Sequence, residues 1–352
     1  MDSRLQWQSL CLAIKDAPKP PSLFLNEVFQ GTQQHFSTKL LVDRIVGTQK
    51  LAPFVRKTDA ARKVDRRTFY MDEITDMPHS KIQLDYDAER EAELRTQMQH
   101  AILLPGEKKP DVQAQMLAEY LETESYYIWY RAEWLAAQAL LTGKILYTSE
   151  DGAWDWEIDY NVPGSHLITE ADDTLWTSAN SDPIAQIMGY QDLILGDAKM
   201  VPTLMIMGTE ARKAFFKHDS VKDYGKNNLI NWGQISSSFK SDQIVRQYSN
   251  AFLNMVLYEY LGSYEDDDGN TQQYMDPYKV IVIAQDPKKE LFKQHFAAIN
   301  DARYGTVAVH IFTKTYIEEN PSVLWIYSDS CMIPWLHQPK AIVVATVVEE
   351  EE

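Results

Sequence analysis

The chain has 352 residues, 45% hydrophobic and 24% charged, enough to bury a substantial core in two domains or one elongated one. A formal net charge of −17 repels nucleic acid wherever no local basic patch intervenes, which argues against broad DNA binding. The two cysteines, Cys11 and Cys331, are far apart and argue against a disulfide framework, so a reducing compartment is the default.

No signal peptide is expected, because Asp2 and Arg4 lead into Gln-rich sequence without an apolar run. The longest apolar run, residues 341–348, is too short to span a membrane, and a soluble chain made in a cytoplasm is expected. Residues 1–22 read as an extended or weakly helical arm that Pro18, Pro20 and Pro21 make rigid at its end. Leu40, Leu41 and Val42 suggest a strand. Between residues 50 and 67 stand Lys50, Arg56, Lys57, Arg62, Lys63, Arg66 and Arg67 against Asp59 and Asp65, a local charge of +5 in an acidic chain. Residues 68–87 then alternate loosely through Phe69, Met71, Ile74, Ile82, Leu84 and Tyr86, as two strands joined near Pro78 would. A basic two-stranded excursion cannot bury itself and calls for another, acidic surface. Asp85, Asp87, Glu89, Glu91, Glu93, Glu119, Glu122 and Glu124 offer one, in this chain or in a neighbouring copy; a solvated loop is the alternative.

Residues 111–142 read as one long helix, with Pro110 before it, Asp111 as N-cap and Gly143 as its stop. Tyr120, Tyr127, Trp134 and Leu141 form one heptad row, and Leu121, Ile128, Leu135 and Thr142 form another beside it. Two such rows predict a wide apolar face, on a helix roughly 48 Å long. A hairpin over residues 144–160 follows, with Asp151-Gly152 as its turn. Its strands bring Ile145 and Tyr147 against the alternating Trp154, Trp156, Ile158 and Tyr160. Ser181 or Asp182, then Pro183, starts another helix carrying Ile184, Ile187, Met188 and Tyr190. Residues 201–208 read as a buried strand and residues 209–225 as a helix closed at Gly225. Strand-like runs at 252–260 and 279–284 flank an acidic tip, residues 265–270, and suggest a long hairpin. Two or three strands lie in residues 323–348, before four terminal glutamates. The pattern is α+β.

Catalytic and metal motifs fail one by one. Asp266, Asp268 and Asn270 imitate a calcium loop, but Thr271 stands where glycine is needed and Pro277 where the bidentate Glu belongs. The eight histidines make no H-E-x-x-H pattern, and Gly164-Ser165-His166 lacks the second glycine of a nucleophile elbow. No phosphate-binding glycine loop occurs. Asp155 and Glu157 share one strand face, and with the aromatic load they allow an acidic carbohydrate-active enzyme to be imagined. With 51 acids such pairs arise by chance, and the aromatic residues fall at core-like spacings. No cofactor and no metal are expected.

The order of elements resembles the major capsid protein of tailed bacteriophages, specifically the lambda-like major capsid protein E family. Residues spread over most of the chain carry the resemblance: Phe24-Leu25, Phe29, Phe36-Ser37-Thr38 and Asp43, then the Leu-Ala-Pro-Phe-Val block of residues 51–55. They continue with Leu141-Thr142-Gly143-Lys144, residues 157–160, Trp176, Asp182-Pro183-Ile184, residues 204–217 and residues 333–344, and the match is looser from 228 to 318. The resemblance implies an HK97-like capsid fold and a structural subunit, not an enzyme. Its parts would be an N-terminal arm and leading strand (1–49), an extended loop (50–88) and a peripheral domain (89–164) with spine helix 111–142 and hairpin 144–160. An axial domain (165–322) would follow, then terminal strands of the peripheral domain with an acidic tail (323–352). Such subunits would assemble as pentamers and hexamers into an icosahedral virion head around double-stranded DNA, without sequence-specific contact and without a membrane. A scaffolding protein, a portal and a decoration protein are the implied partners. The extended loop would lie across a neighbour, with Arg56, Lys57, Arg62, Lys63, Arg66 and Arg67 as intersubunit contacts. A cellular nanocompartment shell shares the fold and stays open beside the phage head.

Overall fold

The computed structural model describes residues 6–46, 68–74, 77–86, 112–148, 155–227, 238–240, 244–248, 253–266, 269–319 and 322–350. The arm carries helix α1 (Trp7–Asp16), a π-helical turn (Phe24–Val28) and strand β1 (Gly31–Gln34). Strands β2 (Leu40–Val46) and β3 (Thr68–Ile74) follow, then β4 (Ser80–Tyr86), the spine helix α2 (Val112–Thr142), β5 (Lys144–Thr148) and β6 (Asp155–Asp159). The middle of the chain contains β7 (Leu167–Thr169), α3 (Pro183–Ala198), β8 (Leu204–Met207), α4 (Thr209–Lys217) and α5 (Asp219–Asn227). Next come β9 (Ser238–Lys240), β10 (Val245–Tyr248), β11 (Val256–Tyr260), β12 (Ser263–Glu265), β13 (Thr271–Gln273) and β14 (Lys279–Ile283). The chain closes with β15 (Phe292–Phe296), β16 (Ile299–Asp301), β17 (Gly305–Val307), β18 (Phe312–Glu319), β19 (Ser322–Ser330), β20 (Met332–Leu336) and β21 (Ile342–Thr346).

The core is a seven-stranded mixed sheet in the order β7-β21-β14-β8-β11-β10-β9. Strand β8 is buried along its whole length, and Val280, Ile281, Val282 and Ile283 of β14 are equally inaccessible. Strands covered on both faces need continuous apolar runs rather than alternation, and these strands have them. The spine helix packs along β4, β5 and β20. Its 31 residues span about 46 Å. It stops where expected, at Gly143, whose φ is +67° and where a Cβ would meet Val162 at 2.8 Å. In α3 the Asp182 Oδ1 accepts the N–H groups of Ile184 (3.1 Å) and Ala185 (3.2 Å), with Pro183 in the first turn. Trp156, Ile158 and Tyr160 are buried, as the hairpin alternation predicts; the Asp151-Gly152 turn lies outside the described residues.

Several expectations give way to tertiary context. The wide face predicted for the spine helix is narrower. Leu121, Ile128 and Leu135 are buried, but Tyr127 is 56% exposed, Thr142 is exposed, and Tyr120, Trp134 and Leu141 are half-buried. The buried stripe instead runs through Ala132, Ala136, Ala137 and Ala139, whose small side chains let neighbouring strands approach while adding little to an apolar pattern. Along α3, Ile184, Ile187 and Tyr190 are buried and Met188 is exposed. Residues 209–225 are not one helix. His218 is extended (ψ 139°) and separates α4 from α5, which runs past Gly225 to Asn227. His218 is held there by Ser220 Oγ (2.9 Å) and the Ser178 carbonyl (3.0 Å). Strands β11 and β14 are not hairpin partners. Both flank β8, one parallel and one antiparallel, and the acidic tip belongs to the small β12–β13 hairpin. Strands β3 and β4 likewise do not pair with each other: β3 pairs with β2, and β4 with β19.

Candidate assembly site

The six basic residues picked out by the sequence, Arg56, Lys57, Arg62, Lys63, Arg66 and Arg67, lie outside the described residues. The two strands that lead to and from them form an antiparallel ribbon from Leu40↔Ile74 to Val46↔Thr68. Among the described residues this ribbon pairs with no other strand. Its root is fixed by Leu40 and Val42, both buried in the core. Of the acids expected to offer the partner surface, Asp85 on β4 and Glu119 on the spine helix are exposed among the described residues. Glu124, expected among them, is not a surface acid at all: its side chain is wholly buried.

Glu124 and Glu133 show how the arm and the strands are fastened to the spine helix. Glu133 Oε1 accepts the N–H groups of Leu23 (2.9 Å) and Phe24 (2.8 Å) and the hydroxyl of Tyr260 (2.8 Å), while Oε2 accepts the N–H of Leu25 (3.0 Å). One carboxylate thereby caps the free N–H groups of the π-helical turn and ties it to the end of β11. Burial pushes the carboxyl pKa up against the pull of those donors. Close by, the rings of Phe24 and Tyr260 meet edge to face at 5.0 Å.

Glu124 receives the hydroxyl of Ser328 on β19, and its Oε1 has no hydrogen-bond partner among the described residues. Burial with so few donors pushes its pKa up to about 7. Ser328 Oγ lies 2.8 Å from Thr313 Oγ1 on β18, and Thr313 N–H donates to Cys11 Sγ at 3.2 Å. A polar thread therefore crosses from the spine helix through both strands to α1. Neither glutamate was legible as an anchor in the sequence. The available signal was an acid inside a stretch otherwise rich in alanine, leucine and tryptophan, which is the setting of Glu133.

The enzyme-like features do not form a site. Asp155 and Glu157 sit on the exposed face of β6, where Lys144 bridges Glu157 (3.5 Å) and Asp159 (2.9 Å). Trp156 and Ile158 on the other face are packing residues. His166 is buried and contacts the Ile342 carbonyl at 2.7 Å and Asp197 at 3.2 Å, so it is a structural histidine. Among the described residues no group of three His, Cys, Asp or Glu could hold a metal, and no helix is long and apolar enough to cross a membrane.

The sequence model of a family described as phage major capsid protein E matches residues 6–347. Among solved structures, a protein described as a capsid protein of a prophage of E. coli CFT073 is 19% identical, with 97% of this chain and 98% of that one covered and a TM-score of 0.66. A phage-related protein from Bordetella bronchiseptica RB50 is 14% identical over 96% of this chain and 95% of that one, with a TM-score of 0.53. These structures share the fold. No curated protein matches the chain.

Proposed function

The chain belongs to the phage major capsid protein E family, and from that premise we propose how this subunit works. It is a structural component of the phage head, part of the virion, and capsid proteins assemble into oligomeric icosahedral shells. The observation that carries this reading is the family match along residues 6–347. It also favours a phage head over a cellular nanocompartment.

The subunits form pentamers and hexamers around double-stranded DNA. Each contact is modest, and symmetry multiplies it into a stable closed shell. Residues 89–164, with the terminal strands from residue 323 up to β20, serve as the peripheral domain, and residues 165–322 as the axial domain, whose sheet β21 joins between β7 and β14. The net charge of −17 suits a wall that encloses DNA without gripping it. The β2–β3 ribbon, unpaired beyond itself among the described strands, carries the basic segment onto the acidic surface of a neighbouring copy. Arg56, Lys57, Arg62, Lys63, Arg66 and Arg67 make the intersubunit contacts there. A scaffolding protein, a portal and a decoration protein complete the assembly.

Replacing these six residues by glutamate tests the contact. The variant subunit is expected to fold with an unchanged circular dichroism spectrum and unfolding midpoint, and to form no closed shells by electron microscopy. Normal shells from the variant would overturn the role given to the loop.

A further inference from the structure

Phe36 is the most exposed large apolar side chain among the described residues, at 85%. It stands on the short connection between β1 and β2, and that connection is pinned on both sides of it. His35 N–H donates to the Phe296 carbonyl at 2.8 Å, and Ala298 N–H donates to the Ser37 carbonyl at 3.1 Å. A ring presented on a fixed backbone loses little further freedom when it binds, which is what an interface anchor needs.

The same chain carries a hollow that fits such a ring. A cavity of about 340 Å³ opens between the π-helical turn and the residues that lead into β15. Val28, Leu291 and Phe292, all buried, give it apolar walls together with Pro287. The walls are set in place. Phe292 meets Phe29 edge to face at 6.0 Å, and Gln285 Nε2 donates to the Glu27 carbonyl at 2.8 Å. An apolar cavity of about 150 Å³ already accepts benzene, so this one has room for a phenyl ring and its backbone. Charge agrees with this fit. Glu27 and Asp286 outnumber Lys289 in the lining, whereas the chain from residue 28 to residue 42 holds no carboxylate and carries Lys39.

Ring and hollow do not meet within one subunit. Strand β1 runs parallel to β15 from Gly31↔Lys293 to Gln34↔Phe296, with the hollow before that register and Phe36 beyond it. At about 3.3 Å per residue, the stretch from Gly31 to Phe36 separates them by roughly 16 Å. A knob and a hole at opposite ends of one molecule make a head-to-tail contact, and such contacts close into rings when the rotation permits. Phe36 also stands just before Leu40, where β2 begins, so it adjoins the ribbon proposed above to reach a neighbouring copy. We infer that Phe36 of one copy docks in the hollow formed by Val28, Pro287, Leu291 and Phe292 of the next, and that this head-to-tail contact closes the pentamer and hexamer rings. The inference rests on the capsid reading given above.

Cross-linking of full-length subunits, expressed with the neighbouring genes, tests the contact. Ser37→Cys and Lys288→Cys place one thiol beside the ring and one beside the hollow, at exposed positions, and leave Phe36 and the apolar walls intact. The natural cysteines, Cys11 and Cys331, are buried. A short bis-maleimide applied to shells of the doubly substituted chain should give a covalent ladder that ends at five and six subunits. Neither single substitution should give a ladder. Phe36→Ala alone should fold with an unchanged unfolding midpoint and cut the yield of closed shells at least about tenfold, as loss of a central aromatic anchor implies. Closed shells in which the two thiols do not join, a ladder that stops at dimers, or a wild-type shell yield from Phe36→Ala would each overturn the docking and leave the capsid reading standing. Ladder and yield come from different variants, so either decides if the other variant fails to fold. No shells from the wild type, with the scaffold present, would overturn the capsid reading and the docking with it.

Discussion

Removal of the Glu133 carboxylate should cost this fold more than any other single polar change in the spine helix. Glu133→Ala strands three backbone N–H groups and the Tyr260 hydroxyl in a water-excluded place. An unsatisfied buried donor costs about 1–3 kcal/mol, so the gross loss for these four is roughly 4–12 kcal/mol. Relief from burying a carboxylate returns part of this, and the net loss is about 3–5 kcal/mol, the range found when a buried charge network is broken from one side. Against a total stability of about 5–15 kcal/mol that is about a fifth or more. Glu133→Gln keeps one acceptor oxygen at the Leu23, Phe24 and Tyr260 donors but turns an NH2 toward Leu25, and should cost about 2 kcal/mol. Tyr260→Phe deletes one donor and should cost about 1.5 kcal/mol. Urea unfolding of the unassembled subunit, followed by tryptophan fluorescence, gives the order directly. A Glu133→Ala midpoint within about 0.5 kcal/mol of the wild type, the spread of ordinary surface changes, would refute the anchor. So would a Tyr260→Phe loss as large as that of Glu133→Ala.

Glu124 should make stability fall as pH rises. Its folded value of about 7 lies above the ordinary 4.5, so the fold favours the protonated form. The resulting contribution is whole below pH 4.5 and disappears as pH climbs to about 7, a loss of about 3 kcal/mol. Glu124→Gln should flatten the stability profile across that window and leave the protein more stable than the wild type at alkaline pH; parallel profiles for the two proteins would contradict this. Gly208→Ala should cost about 2–3 kcal/mol through overpacking. A Cβ there would stand 2.1 Å from the Asp276 carbonyl oxygen and 2.5 Å from that of Pro277, which accepts the Glu210 and Ala211 N–H groups at the start of α4. An unchanged urea midpoint would show that residues 276–277 can move aside freely.

Local signals in the sequence carried well where the physics is local. Gly143 must stop the spine helix because only glycine fits its φ beside Val162, and Asp182-Pro183 starts α3 by capping chemistry alone. The 156/158/160 alternation and the apolar runs of β8, β14 and β21 were equally readable. Partner choice was not. Residues 256–260 and 279–283 look like hairpin arms, yet both pair with β8 from far along the chain, and no periodicity encodes that. His218 splits a helical pattern because serines from another loop hold its ring. Glu124 and Glu133 escaped because charged residues default to the surface, and only packing shows when one is inside.

Electron microscopy of the full-length protein, expressed with its neighbouring genes so that any scaffold is present, tests the central claim most directly. Round, closed shells tens of nanometres across, holding DNA when packaging proteins are supplied, are the predicted result. Monomers or small oligomers alone, with the scaffold present and the subunit folded, would contradict it.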